Sequence, residues 1–257
     1  MKKVSIITIN LNNAAGLEQT IRSVIAQEDC EFEFVVVDGG STDTSGDCIA
    51  FHRNKIDRVI QEKDNGIYDA MNKGIEVSTG EYLLFLNSGD YLAHAGVIKE
   101  CMAYLDGTEI LAGGIIKFAD GKEHRFLSPE QLDMDQFLEV SLHHQATFVK
   151  RSVFARFGLY DDTYRLGGDY EFFVRVLLKH DVSYRSAPLY VCYFPTDGIS
   201  NRKDWELINA EERKRTWSRH FSPVVLRELE EYKKLRDSRE YRLGKAFYRR
   251  FSFLKKS

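Results

Sequence analysis

Over the first ninety residues, apolar runs alternate with stretches whose apolar positions recur every three or four residues. Val4–Asn10 is rich in β-branched residues and reads as a strand. After the polar break Asn12-Asn13, Leu17, Ile21, Val24 and Ile25 fall at helical spacing. Residues 32–38 give a second strand, and 44–52 a helix that Ser41, Thr42 or Asp43 can cap. Residues 56–61 give a short third strand. Asp64-Asn65-Gly66 is then a turn, and Ile67–Val77 a helix carrying Tyr68, Asp69, Asn72 and Lys73. Next comes Gly80-Glu81-Tyr82-Leu83-Leu84-Phe85-Leu86, a bulky run that predicts a strand covered on both faces. It stops abruptly at Asn87-Ser88-Gly89-Asp90.

Strand and helix in alternation imply a parallel sheet with right-handed crossovers. Three strands end in polar groups: Asn10 and Asn12, Asp38, and Asn87 with Asp90. If those ends share one edge they line one crevice, the usual seat of a nucleotide in open α/β sheets. A plain turn competes for 87–90, since Asn, Ser, Gly and Asp all form turns.

The remainder is less regular. Residues 96–105 read as a helix, 109–118 as a strand and Asp120-Gly121 as a hairpin turn before a returning strand at 122–127. Residues 129–142 are helix and loop. His143-His144-Gln145 precede a short strand at 146–150, and Arg151–Phe157 is a helix stopped by Gly158. Leu166-Gly167-Gly168-Asp169 opens an amphipathic helix whose dipole favours a charged Asp169, although an N-cap role accounts equally well for its position. The glycines there let another group come close. Short strands at 182–193, a loop at 197–200 and a helix at 205–221 complete the pattern.

Composition narrows the function classes. At 257 residues with 43% hydrophobic content and net charge −3, the chain has an ordinary core and no overall nucleic-acid signature. From 233 to 257, however, ten Lys or Arg face only Asp237 and Glu240, a local charge of +8. Aromatic residues interleave there, so this extension reads as a basic interfacial helix or as a solvated, frayed terminus; nucleic-acid binding ranks third. Cys30, Cys48, Cys101 and Cys192 have no paired spacing and read as reduced, buried thiols. The first apolar run is too short for a signal peptide or membrane span, which places the expected location in the cytoplasm, up to the inner face of the membrane. A dinucleotide-binding oxidoreductase would need G-x-G-x-x-G after the first strand; Asn10-Leu11-Asn12-Asn13 stands there instead. No Walker loop occurs, nor the glycine-rich basic loop of a nucleotidyltransferase.

Four blocks in this order resemble the family 2 glycosyltransferases, of the bacterial type that builds surface polysaccharides. They are residues 4–12 with Asp38-Gly39-Gly40-Ser41-Thr42-Asp43; Asp64-Asn65-Gly66-Ile67-Tyr68-Asp69-Ala70-Met71-Asn72-Lys73-Gly74; 80–90; and Gly168-Asp169-Tyr170-Glu171 through Arg175. The resemblance covers about residues 1–220. It implies an α/β GT-A fold, Rossmann-like and mostly parallel, with a helical extension at 221–257. It further implies inverting transfer of a hexosyl or N-acetylhexosaminyl group from a nucleotide-sugar donor, UDP-linked by expectation. The acceptor would be a saccharide hydroxyl, free or polyprenyl-linked.

Carried over by position, Thr8 borders the base pocket, Asp38 accepts from the nucleobase and Asp64 lies beside the nucleoside. The family's Asp-x-Asp metal motif falls on Asn87 and Gly89, leaving only the trailing Asp90. Either Asp90 takes over as ligand to Mg²⁺ or Mn²⁺, with Asn87 on a ribose hydroxyl or water, or the cation is weakly held. Asp169 is the expected general base. His144 and Gln145 contact diphosphate or acceptor, or else form a satisfied core pair. Arg175 is expected to be structural. The alternative from another class is a non-catalytic sugar-nucleotide-binding or scaffold protein.

Overall fold

The computed structural model describes residues 3–195, apart from 120, 140 and 181, together with 204–238 and 241. The chain divides into two compact units, 1–212 and 213–257. Strands of the first are β1 (Val4–Asn10), β2 (Glu33–Asp38), β3 (Arg58–Gln61), β4 (Tyr82–Phe85), β5 (Tyr91–Leu92), β6 (Ile110–Ala119), β7 (Lys122–Phe126), β8 (Thr147–Lys150) and β9 (Tyr184–Pro195). Its helices are α1 (Ala14–Ile25), α2 (Ser45–Phe51), α3 (Ile67–Val77), α4 (Val97–Met102), α5 (Met134–Glu139), α6 (Arg151–Phe157) and α7 (Gly168–Phe173), which continues as a π-turn over Val174–Lys179. The segment α8 (Asp204–His220) supplies Glu212 to this unit. In the second unit, α9 (Pro223–Asp237) is capped by Ser222 Oγ, which accepts from the Val225 amide. No described helix is long and apolar enough to cross a membrane. The basic segment beyond Tyr241 and the expected loop at 197–200 lie outside the described residues.

The sheet runs β3-β2-β1-β4-β8-β6-β9-β5, with β7 hanging on β6. The first four strands are parallel, as the alternation requires, and Asn10 sits in register beside Asp38. Beyond β4 the direction reverses: β8 is antiparallel to β4 and to β6, so the sheet is mixed. Runs of apolar residues carry no sign of strand direction, which explains why that half was not legible. Instead of several short strands within 182–193, there is one twelve-residue strand, β9, from Tyr184 to Pro195. The two-residue β5, which pairs with β9 straight after Asp90, is too short to leave any pattern.

Core packing fixes the strand ends. Ile6, Val36 and Leu84 meet Leu17, Ile21 and Val24 of α1 on one face. On the other, α3 lies so close to β1 that a Cβ at Gly74 would approach Ile7 Cγ2 to 2.5 Å. Phe85, Phe154, Tyr160 and Phe172 close that face as an aromatic cluster. Because β8 runs opposite to β4, its start lies at the end of β4, and the turn His144–Ala146 joins the same rim.

Candidate active site

At the ends of β1 and β2, Asp38 is 3% exposed and fully engaged. Its Oδ1 accepts from Asn10 Nδ2 at 2.8 Å and Ser41 Oγ at 2.6 Å, and its Oδ2 from the Ser41 amide at 3.0 Å. Asn10 Nδ2 also reaches Ser45 Oγ at 3.0 Å. The carboxylate therefore builds the strand-to-loop junction. Thr8 is wholly buried in β1, its Oγ1 without a partner among the described residues. Asp64 lies differently. Its carboxylate sits against Gly39, where a Cβ would come within 2.0 Å of Asp64 Oδ2. Burial raises its pKa, against the opposing pull of the Gly66 amide and Lys73.

The 87–90 segment is a tight turn closed by the Asp90 amide donating to Asn87 O at 2.9 Å. Gly89 has φ +107°, the left-handed conformation that such a turn demands at its third residue. An acid at position 89, as in the family motif, would be strained in this backbone. Buried Thr20 of α1 pins the turn: its Oγ1 accepts from the Gly89 amide at 3.0 Å and donates to Asp90 O at 2.6 Å. Asp90 itself is 6% exposed. Burial pushes its carboxyl up to about 7, against the nearby His144 and bonds from the Asn87 segment and the Gln145 side chain.

Across the rim, His144 Nδ1 lies 2.8 Å from Asp169 Oδ2, and its Nε2 lies 3.2 Å from Asn87 Nδ2. Asp169 Oδ1 accepts from the Tyr170 amide at 2.9 Å, and the one hydroxyl proton of Tyr68 is divided between Leu166 O at 2.5 Å and Asp169 Oδ1 at 3.1 Å. Desolvation opposes ionisation of Asp169, but His144, the Tyr170 amide and Tyr68 outweigh it and hold the carboxyl below its ordinary range. Burial likewise lowers the His144 pKa, and the bond and charge of Asp169 with the charge of Asp90 more than reverse that. His143 is driven down to about 4, chiefly by burial.

The glycine pair before Asp169 is gripped from two sides. The Tyr68 ring would stand 2.7 Å from a Cβ on Gly168. Glu212 accepts from three successive amides, those of Arg165, Leu166 and Gly167, at 2.6, 3.0 and 2.7 Å. Arg175 is structural, as expected: it pairs with Glu171 at 2.9 Å and donates to Leu159 O at 2.8 Å.

Asp64, Tyr68 and Asn72 all come from the second sequence block, and Asn72 joins it to Tyr160 through two bonds. The block is thus the hinge between the strand-end rim and the Asp169 loop. The family model described as Glycosyl transferase family 2 matches residues 5–158. The chain belongs to glycosyltransferase family 2.

Similar glycosyltransferases include the PGL/p-HBAD biosynthesis glycosyltransferase Rv2957 of Mycobacterium tuberculosis, 35% identical over 178 residues, or 66% of this chain and 68% of the relative. Rv1514c, an uncharacterized glycosyltransferase of the same organism, is 32% identical over 209 residues, covering 78% of each chain. Among solved structures, TarS 1–349 of S. aureus in complex with UDP-GlcNAc superposes with a TM-score of 0.65 at 18% identity. That match covers 80% of this chain, which spans 64% of the TarS chain. The mannosyltransferase PcManGT of Pyrobaculum calidifontis, in complex with GDP-Man and Mn²⁺, gives 0.60 at 16% identity over 95% of this chain and 83% of its own. The fold is the GT-A fold of these transferases.

A divalent cation meets a thin donor set here. Among the described residues no group of three His, Cys, Asp or Glu is placed to hold a metal ion. Two hard oxygen donors are present: the Asp90 carboxylate, and Asn87 Oδ1, buried with no partner among the described residues. Mg²⁺ commonly takes one or two protein oxygens and completes its shell with phosphates and water, so these residues fit a cation that arrives with its nucleotide.

Sequence reasoning missed Tyr68, Thr20 and Glu212. Tyr68 could have been found, because it stands inside a recognised block. Thr20 and Glu212 carry no local signal.

Proposed function

We propose that this glycosyltransferase moves a sugar, with inversion, from a UDP-linked donor to a saccharide hydroxyl of a free or polyprenyl-linked acceptor, with Asp169 as general base. The observation that carries the reading is Asp169 itself: a half-buried carboxylate held in its ionised form chiefly by His144 and the Tyr170 amide, on the rim where the parallel strands end. It is placed to take the proton of an acceptor hydroxyl while that oxygen bonds to the anomeric carbon. The bond to the diphosphate breaks as the new bond forms, its electron pair leaving with the phosphate oxygen. A single displacement of this kind inverts the anomeric centre. Asp64 stands beside the junction that Asp38 builds, with Oδ1 accepting from the Gly66 amide at 3.1 Å and Oδ2 taking no bond among the described residues. It therefore accepts from the base N–H, a role open to uracil and closed to a base offering only acceptors at that edge. When bound, Mg²⁺ or Mn²⁺ on Asn87 Oδ1 and Asp90 would neutralise charge on the leaving diphosphate.

The named UDP-GlcNAc and GDP-Man complexes support a nucleotide-sugar donor. A panel of UDP-, GDP- and dTDP-sugars, each with Mg²⁺ or Mn²⁺ and with EDTA, assays the reading through nucleoside diphosphate release. Release from a UDP-sugar should fall about 10²- to 10⁴-fold in Asp169→Asn. Equal release by both proteins would remove Asp169 from the chemistry, and saturable binding of GDP but not UDP would reassign the donor.

A further inference from the structure

The imidazole of His144 touches both Asp169 and the turn after β4, and its two bonds are not independent. Its Nδ1 faces a carboxylate, Asp169 Oδ2, at 2.8 Å. A carboxylate only accepts, so in the neutral ring Nδ1 carries the hydrogen and Nε2 is bare. A bare Nε2 can only accept, so the group 3.2 Å away must be the amide nitrogen of Asn87. With Nδ2 committed to the imidazole, Asn87 Oδ1 turns away from it, buried and with no partner among the described residues. The neutral Nε2–H tautomer would aim a lone pair at Asp169 and call for the opposite rotation of the Asn87 amide.

Building on the roles given above to Asp169 and Asn87, we propose that Asp169 also acts at a distance. Through the tautomer it imposes on His144, it fixes the Asn87 amide so that an oxygen, and not an NH₂, faces the donor. His144 is a positioning residue in this arrangement. The group presented is an acceptor, suited to a sugar hydroxyl or a cation and unsuited to a bare phosphate oxygen. The position that the family motif fills with an acid keeps its acceptor character although the acid has become an amide.

The test separates this inference from the donor assignment. Imidazole ¹H–¹⁵N correlation spectra of the full-length protein at about pH 9, above the ordinary imidazolium range, should show His144 as the Nδ1–H tautomer. Asp169→Asn should abolish that preference. An Nε2–H tautomer, or an imidazolium persisting at that pH, would overturn the proposal without any nucleotide being present.

UDP titrations with Mg²⁺ then probe the Asn87 end. His144→Asn keeps a donor near the Nδ1 position but cannot reach Asn87, and its Kd for UDP should rise about 5- to 30-fold. His144→Gln reaches Asn87 but not Asp169, so nothing sets which end of its own amide faces Asn87, and its Kd should rise by a similar factor while sugar transfer falls. An affinity for UDP equal to that of the wild type in either variant would sink the coupling. A wild-type protein with the expected tautomer but no affinity for UDP would instead overturn the donor reading and leave the tautomer standing.

Discussion

Asp38 and Asp64 sit beside each other in the sequence reading as two nucleotide contacts, yet their surroundings assign them different work. Asp38 spends three bonds inside the junction of β1 and β2, so Asp38→Ala strands Asn10 and Ser41 and should lower stability by about 2–4 kcal/mol. Asp64→Ala should leave the melting temperature nearly unchanged and weaken UDP binding about 10-fold or more, as loss of a charge-assisted bond does. Calorimetry and thermal melts on both variants decide this, and a reversed pattern would return the base to Asp38. Asp90 gives a second residue-scale prediction. Its carboxyl titrates at about 7 in the folded chain against an ordinary 3.8. Between those values the folded state holds a proton the unfolded state has released, so stability falls as pH rises, and the penalty is complete above about 7. That gap corresponds to about 4 kcal/mol. Asp90→Asn should therefore raise the melting temperature clearly at pH 8 and much less at pH 5. An equal effect at both would refute the linkage.

At the scale of elements, the segment leading into α7 is the sensitive joint. A methyl on Gly168 meets the rigid Tyr68 ring at 2.7 Å, so Gly168→Ala must move the ring or the loop that carries the base. Such overpacking costs about 1–3 kcal/mol, and kcat should fall far more than UDP affinity. Unchanged kcat would show that the loop accommodates the methyl. The two glycines were legible in advance as a place of close approach; that the approaching group is Tyr68 from α3 was not, since a hundred residues separate them. The first four strands were legible because each is an apolar run bracketed by helical spacing. The direction of β8 and the existence of β5 depend on partners elsewhere in the chain. The eroded metal motif makes sense only in three dimensions, where Gly89 takes the positive φ of a turn pinned by Thr20.

For the whole molecule, charge is the organising quantity. The +8 carried by residues 233–257 leaves the rest of the chain at about −11. An anionic lipid surface would draw the former and repel the latter. In sedimentation with phosphatidylserine vesicles, the full chain should bind at low salt and release at about 0.5 M, where screening shortens to a few ångströms. A chain ending at Tyr241 should bind much less, and equal binding by both would remove the tail from any membrane role. The strand-end rim and its acids were foreseeable from sequence; that they join the Asp169 loop through Tyr68, His144 and Asn87 was not.

The clasp of Glu212 on three successive amides has a consequence for recombination. The family match stops at 158, before both the base and the carboxylate that steadies its loop. The strand-end residues and the Asp169 loop thus lie on separate stretches of chain, whereas everything from Arg165 to Glu212 is tied together by that clasp. A recombinant joined within that interval would receive a base with no latch, or a latch with no base. A chimera with another family member should accordingly be joined upstream of Arg165 and carry everything through Glu212 as one block.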